Sequence, residues 1–176
     1  HRALVQPRVM AHRIAQLETI IRDWVRPAIT AWVAAGGGDC IPLAERIPAQ
    51  VVAYMLGLPS ADIDRHRQWA MMGGDILAGD ISNEQLMTLA METMQMTEYL
   101  GAQLTAQPAS TPPTADAPLL HALAHGVHTE EITPDEAVGI AAVLFGAGGE
   151  STAALIGSVL HYICLLYTSP SPRDIG

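Results

Sequence analysis

The chain has 176 residues, 49% of them hydrophobic and 15% charged, with a formal net charge of −9. That suits one domain with an aliphatic core. The acidic balance, with no Lys and no basic cluster, speaks against nucleic acid as the main partner. The two cysteines, Cys40 and Cys164, form neither a disulfide framework nor a metal-ligand spacing, so a cytoplasmic setting is the default expectation.

The opening HRALVQPRVM is not a signal peptide, because its short apolar run is interrupted by Pro7 and Arg8. With no initiating Met, the chain is expected to begin inside a longer protein. Val9, Ile14, Leu17, Ile20, Ile21, Trp24 and Val25 are spaced for an amphipathic helix, which Pro27 is expected to bend or interrupt. Gly36 to Gly38 break the pattern, and DCIPL is read as a short extended piece. A helix is then predicted from Ile47-Pro48 to the stop at Gly57 and Pro59.

Residues 60–64 open a further helix through His66, Trp69 and Met72. With Arg65 and Arg67 alongside, His66 and Trp69 are read as a surface face. Ile81 to Thr105 predicts a long helix, with Ser82 as N-cap and Gln85 completing a capping box. Met87, Met91, Met94 and Met96, with Met72 upstream, are read as adaptable apolar packing. QPASTPPTADAP, residues 107–118, is a Pro-rich connection with no evident reason to pack.

A short helical piece, LLHALAHG, follows. His121, His125 and His128 fall near one face of it, but Gly126 interrupts and no fourth ligand is evident, so a solvated helix end is preferred to zinc. Thr133-Pro134-Asp135-Glu136 stacks a cap, a first-turn proline and an acid. From there to Ile163 the helix would be roughly 45 Å long at about 1.5 Å per residue. It is apolar nearly all round, so it is expected to run through the middle of the protein. No convincing pair of alternating strands appears, and the fold class is all-α.

Inside that helix lies GAGGESTAALIGS. Gly148 and Gly149 each cost about 1 kcal/mol relative to Ala, and a buried Glu150 without partners costs more. Paired glycines admit something flat or bulky at close range, or a local widening such as a π-bulge. Two other readings are a membrane helix with a small-residue packing face, disfavoured by the near-central Glu150, and a kink without chemistry.

Ala147, Gly148, Gly149, Glu150, Ser151 and Thr152 resemble the central helix motif of the bacterial cytochromes P-450, haem-thiolate monooxygenases. HRALV is similar to the family's C-helix, and IPAQVVAYMLGLPSAD to its E-helix and the turn into the F-helix. The resemblance covers Arg2 to Ile163. It implies a partial P-450 fold, helices C to I, with haem b, dioxygen, and electrons from NAD(P)H through a ferredoxin-like partner. It also implies a monomer that needs no membrane and hydroxylates an apolar small molecule.

Carried over by residue, the resemblance places Arg2 on a haem propionate and Ala147 and Gly148 over the haem. It makes Glu150 and Ser151 the acid–alcohol pair that relays protons, with Thr152 adjacent, and turns Val143, Gly146 and Ala147 toward substrate, with the helices around Met72 and Met87 beside them. Ser151 stands where the family usually has Thr, which keeps the hydroxyl and loses the rotamer-fixing methyl.

The family's Glu-x-x-Arg pair and its Cys-bearing loop belong downstream of the central helix. The part present is therefore expected to lack the axial thiolate and to be inactive by itself; Cys40 is a poor substitute. CLLYTSPSPRD, Cys164 to Asp174, can be back-translated into a sequencing-library adapter. The expectation is a partial domain over 1–163 and a non-native tail over 164–176. The competing reading from another class is a non-enzymatic all-α domain that binds an apolar ligand.

Overall fold

The computed structural model describes residues 2–73, 79 and 81–168. All regular structure among them is helical. The helices are α1 (Arg2–Val5), α2 (Ala11–Ala34), α3 (Ile41–Leu56), α4 (Ile63–Ala70), α5 (Asn83–Thr105), α6 (Leu119–His128) and α7 (Pro134–Thr168). Short 3-10 turns at Gln6–Arg8 and Ser60–Asp62 follow α1 and precede α4.

Two helix starts fall where their capping chemistry puts them. Ser82 Oγ accepts from the Gln85 N–H while the Gln85 side chain accepts from the Ser82 N–H. Thr133 and Glu136 make the same reciprocal box at the head of α7. The end of α3 is equally local. Gly57 takes a left-handed φ of 84°, and a Cβ there would lie 2.5 Å from Pro118 Cβ, so glycine is required twice over.

Pro27, expected to bend or interrupt its helix, and Pro48, expected to start one, both lie inside helices instead. Pro27 is within the continuous α2. Its missing N–H costs one ladder bond, and the helix is held on α3 across it, with Trp24 edge-on to Tyr54 at 5.7 Å. Pro48 is buried inside α3, which begins seven residues before it, at Ile41. The true start is set by Asp39, whose carboxylate accepts the Ile41 N–H at 2.9 Å, with Pro42 in the first turn. DCIPL is therefore a cap and a helix start, not an extended piece.

The segment 107–118 packs after all. His121 donates to the Thr111 carbonyl at 3.0 Å and His125 to the Ala109 carbonyl at 2.9 Å. Arg8 donates to the Ala117 and Thr114 carbonyls, and Arg13 pairs with Asp116. The two histidines tie the connection to α6, so they do not form a solvated helix end.

α7 packs against α3, α4, α5 and α6, while α1 leans on α6 and α2 on α3. Leu56, Leu100, Leu120, Leu123 and Phe145 are completely or almost completely buried at the centre. By length and composition α7 also passes for a membrane span, the most apolar stretch within Pro134–Leu166 having a mean hydropathy of 1.4. Here its inward face is the floor of a helical core. It does not run through the middle on all sides, because its other face lies open.

Candidate functional site

The two sides of α7 separate at the motif. Ala137, Ala141, Phe145, Gly149 and Ala153 recur every four residues and are buried. Val143, Gly146, Ala147 and Ser151 form the open side, with Val143 69% exposed. A Cβ added to Gly146 would meet nothing within 4 Å. The open side is thus a shallow, nearly side-chain-free strip at the middle of the helix.

The paired glycines have a local reason. A Cβ on Gly148 would sit 2.6 Å from Val52 Cγ2 of α3, and one on Gly149 would sit 2.6 Å from both the Cβ and the carbonyl oxygen of Ala70 at the end of α4. What approaches closely is two neighbouring helices. The helix is continuous from Pro134 to Thr168, with no widened turn. Gly148 and Gly149 therefore answer to packing, while Gly146 and Ala147 leave the opposite side bare.

Glu150 and Ser151 are adjacent in sequence, yet one residue turns the helix by about 100°. The Glu150 side chain borders a cleft of about 310 Å³ with Ala44, Glu45, Met71 and Ala154. Its Oε2 lies 3.3 Å from where a Gly73 Cβ would be. The Ser151 hydroxyl instead donates to the Ala147 carbonyl at 3.2 Å, one turn back. Thr152 is exposed beyond it. Acid and alcohol thus occupy different sides of the helix.

Ala147 and Gly148 also border a second cleft of about 290 Å³, lined by Val52, Met55, Leu119 and Leu144 and by Arg8 and Val9 of the amino-terminal segment. Arg8 was not singled out from sequence, and nothing in QPR distinguishes it. Its guanidinium donates to the Leu4, Ala117 and Thr114 carbonyls, and burial, with Arg13 nearby, lowers its pKa. Arg2 is exposed on α1, where its Nε donates to Gln6 at 3.1 Å, and it does not border this cleft.

His66 and Trp69 are not on the surface: they are 0% and 2% exposed. His66 Nε2 is 3.2 Å from the Tyr99 hydroxyl, which donates to Asp62 at 2.8 Å. Burial lowers the His66 pKa, a shift that Asp62 opposes and Arg65 reinforces. Burial, then the bond to Asp62, raises that of Tyr99. Met96 is in the core, but Met87, Met91 and Met94 face outward at 66%, 55% and 70% exposure, so among the described residues they are not core packing.

Among the described residues no cluster of three or more His, Cys, Asp or Glu could hold a metal. Cys40 is half-buried ahead of α3 and Cys164 exposed near the end of α7. The open side of α7 presents Val143, Gly146, Ala147 and the Ser151 hydroxyl, with free space over Gly146 and with Ala147 at the edge of the cleft beside Arg8 and Val9, and a planar, largely apolar group fits against it.

No protein-family model matches the chain. Its backbone is that of the cytochrome P450 fold: the crystal structure of GfsF matches 98% of the chain and 43% of its own, with a TM-score of 0.70 at 24% identity. That of CalO2 matches 86% and 38%, with a TM-score of 0.74 at 22% identity. Among proteins, cytochrome P450 144 of Mycobacterium tuberculosis is 33% identical over 174 residues, 97% of this chain and 38% of its own length. The mycinamicin IV hydroxylase/epoxidase of Micromonospora griseorubida is 27% identical over 175 residues, 98% and 41% respectively. In sequence and in backbone the chain belongs with the bacterial cytochromes P450. It spans about two fifths of the length of the curated relatives that it matches along nearly all of its own.

Proposed function

We propose that the open strip of α7 is the oxygen-side wall of a haem site in a monooxygenase that hydroxylates an apolar small molecule in the cytoplasm. The observation that supports this reading is the bare surface at Gly146 and Ala147, flanked by Val143 and the Ser151 hydroxyl. When bound, haem b would supply dioxygen activation, using two electrons from NAD(P)H through a ferredoxin-like donor. Gly146 and Ala147 would receive one face of the flat ring. Val143, one turn before Ala147, would limit how the substrate lies.

Ser151 is the hydroxyl placed on that face, and it would hold the proton nearest the reacting oxygen. Glu150 would recharge it from the cleft behind the helix, through water, because the two side chains are not in direct contact. Arg2, exposed at the start of the chain, would pair with a propionate carboxylate, a contact suited to a guanidinium. The axial thiolate is assigned to sequence outside residues 1–163, and residues 164–176 to a non-native tail.

Haem content of the full-length gene product tests this reading, comparing the wild type with Ala147→Trp. One haem per chain is expected in the wild type and a large loss in the variant, with helical circular dichroism retained. Equal haem content in both would overturn the assignment of this strip. A wild type without haem would favour the apolar-ligand domain.

A further inference from the structure

The inward side of α4 is Ile63, His66, Trp69 and Ala70, and His66 is its one ionisable member. It is completely buried between Tyr99 of α5 and Phe145 of α7, with ring centroids 5.7 Å away in each case. The proton positions follow from donor counting. Ionised Asp62 accepts only, so the single Tyr99 hydroxyl proton goes to it. The Tyr99 oxygen is then the acceptor for His66, and His66 Nε2 must carry the ring proton.

That leaves His66 Nδ1 as a bare acceptor, and among the described residues it has no partner. Trp69 Nε1, a donor on a ring 6.3 Å away, has none among them either. Protonating Nδ1 would put a second unmatched donor beside the first and bury a charge.

We propose that His66, Tyr99 and Asp62 form an acid-sensitive clasp that fastens α4 to α5. The surrounding charges do not rescue the protonated ring. Asp62, on the turn before α4, is already engaged by Tyr99. Arg65, on α4 itself, lies over the Trp69 and Tyr99 rings at 5.6 and 5.9 Å and adds a second cation. α3 contributes Glu45 and Arg46, which pair with Arg67 and Asp64, α5 contributes Glu92, which accepts from Gln68 at 2.9 Å, and α7 contributes the apolar Phe145.

The sign follows. Burial holds His66 below its ordinary value of 6.5, so the unfolded chain takes up a proton first as pH falls. The contribution of the clasp is complete above that value and is lost as pH drops below it. The inference is independent of the haem reading.

Side-chain nitrogen NMR of the unmodified chain at about pH 7.5 reads the tautomer directly. A protonated Nε2 and a bare Nδ1 are expected, and a protonated Nδ1 overturns the proposal. Urea stability and amide exchange, followed down to about pH 5, test the clasp itself. His66→Gln retains an N–H donor for Tyr99 but cannot titrate. The unmodified chain should lose stability towards acid more steeply than H66Q, by at most about tenfold in unfolding constant per pH unit for one proton. Exchange in α4 and α5 should rise ahead of α6. Equal slopes overturn the proposal, as does exchange that rises uniformly; the exchange result stands even if H66Q does not fold.

Discussion

One helix presents two surfaces made of the same kinds of residue for opposite reasons. On the inner side of α7, small residues are there because neighbours press in, Val52 against Gly148 and Ala70 against Gly149. On the outer side, Gly146 and Ala147 are small although nothing within the described residues touches the position where a Gly146 side chain would be. The inner glycines offset their cost of about 1 kcal/mol each in helix propensity by the packing they allow. Gly146 has no such return within the fold, which is why the outer strip is the candidate for a ligand surface.

Substitutions along α7 should therefore split by side. Phe145→Ala, at a completely buried position, should cost about 4 kcal/mol in urea unfolding; a cost below about 1 kcal/mol would mean that the inner side is not the core. On the outer side, Ser151→Ala in the full-length enzyme should lower product formed per NAD(P)H roughly a hundredfold, about 2.7 kcal/mol in barrier terms, while Ser151→Thr should preserve it. Stability should hardly change, and an unaffected turnover would remove Ser151 from the proton path.

The glycines give the sharpest contrast. Gly149→Ala drives a methyl into the Ala70 backbone, so overpacking of about 1–3 kcal/mol should outweigh a propensity gain of about 1 kcal/mol. Gly146→Ala meets no atom and should raise stability by about 1 kcal/mol. If both changes had the same sign by denaturant titration, the distinction between the sides would fail.

The smallest effect concerns the head of the helix. Hydrogen bonds from the Thr133 backbone and hydroxyl hold Glu136 below the ordinary value of 4.5. Its contribution is complete above that value and is lost as pH falls through the lowered one. Thr133→Ala should shrink this acid-side loss, visible as a shallower stability–pH slope, and an unchanged slope would contradict the cap.

What the sequence made legible was local chemistry. The boxes at Ser82–Gln85 and Thr133–Glu136 need only four residues each, and both stand in the structure. The central-helix motif was readable for a similar reason, since it lies within one continuous stretch. What was missed depends on distant partners. Pro27 and Pro48 look like boundaries until α2 and α3 are packed together. His66, between Arg65 and Arg67, looks exposed, although the spacing Ile63, His66, Trp69 and Ala70 carries the signal of an inward side once His is counted as capable of burial. The Pro-rich stretch 107–118 gains its order from Arg8, Arg13, His121 and His125, residues up to 109 positions away in sequence. The family resemblance pairs Glu150 with Ser151, and only the folded helix shows that their side chains leave it on different sides.

The most direct test of the central claim, that the open strip of α7 faces a thiolate-ligated haem, is a carbon monoxide difference spectrum. It would be recorded on the protein encoded by the source locus, read through Ile163 and beyond. The expected result is a Cys-bearing loop in frame and the absorption band of a thiolate-ligated haem, lost in Ala147→Trp. A locus without that cysteine, or a full-length protein that takes up no haem, would contradict the account.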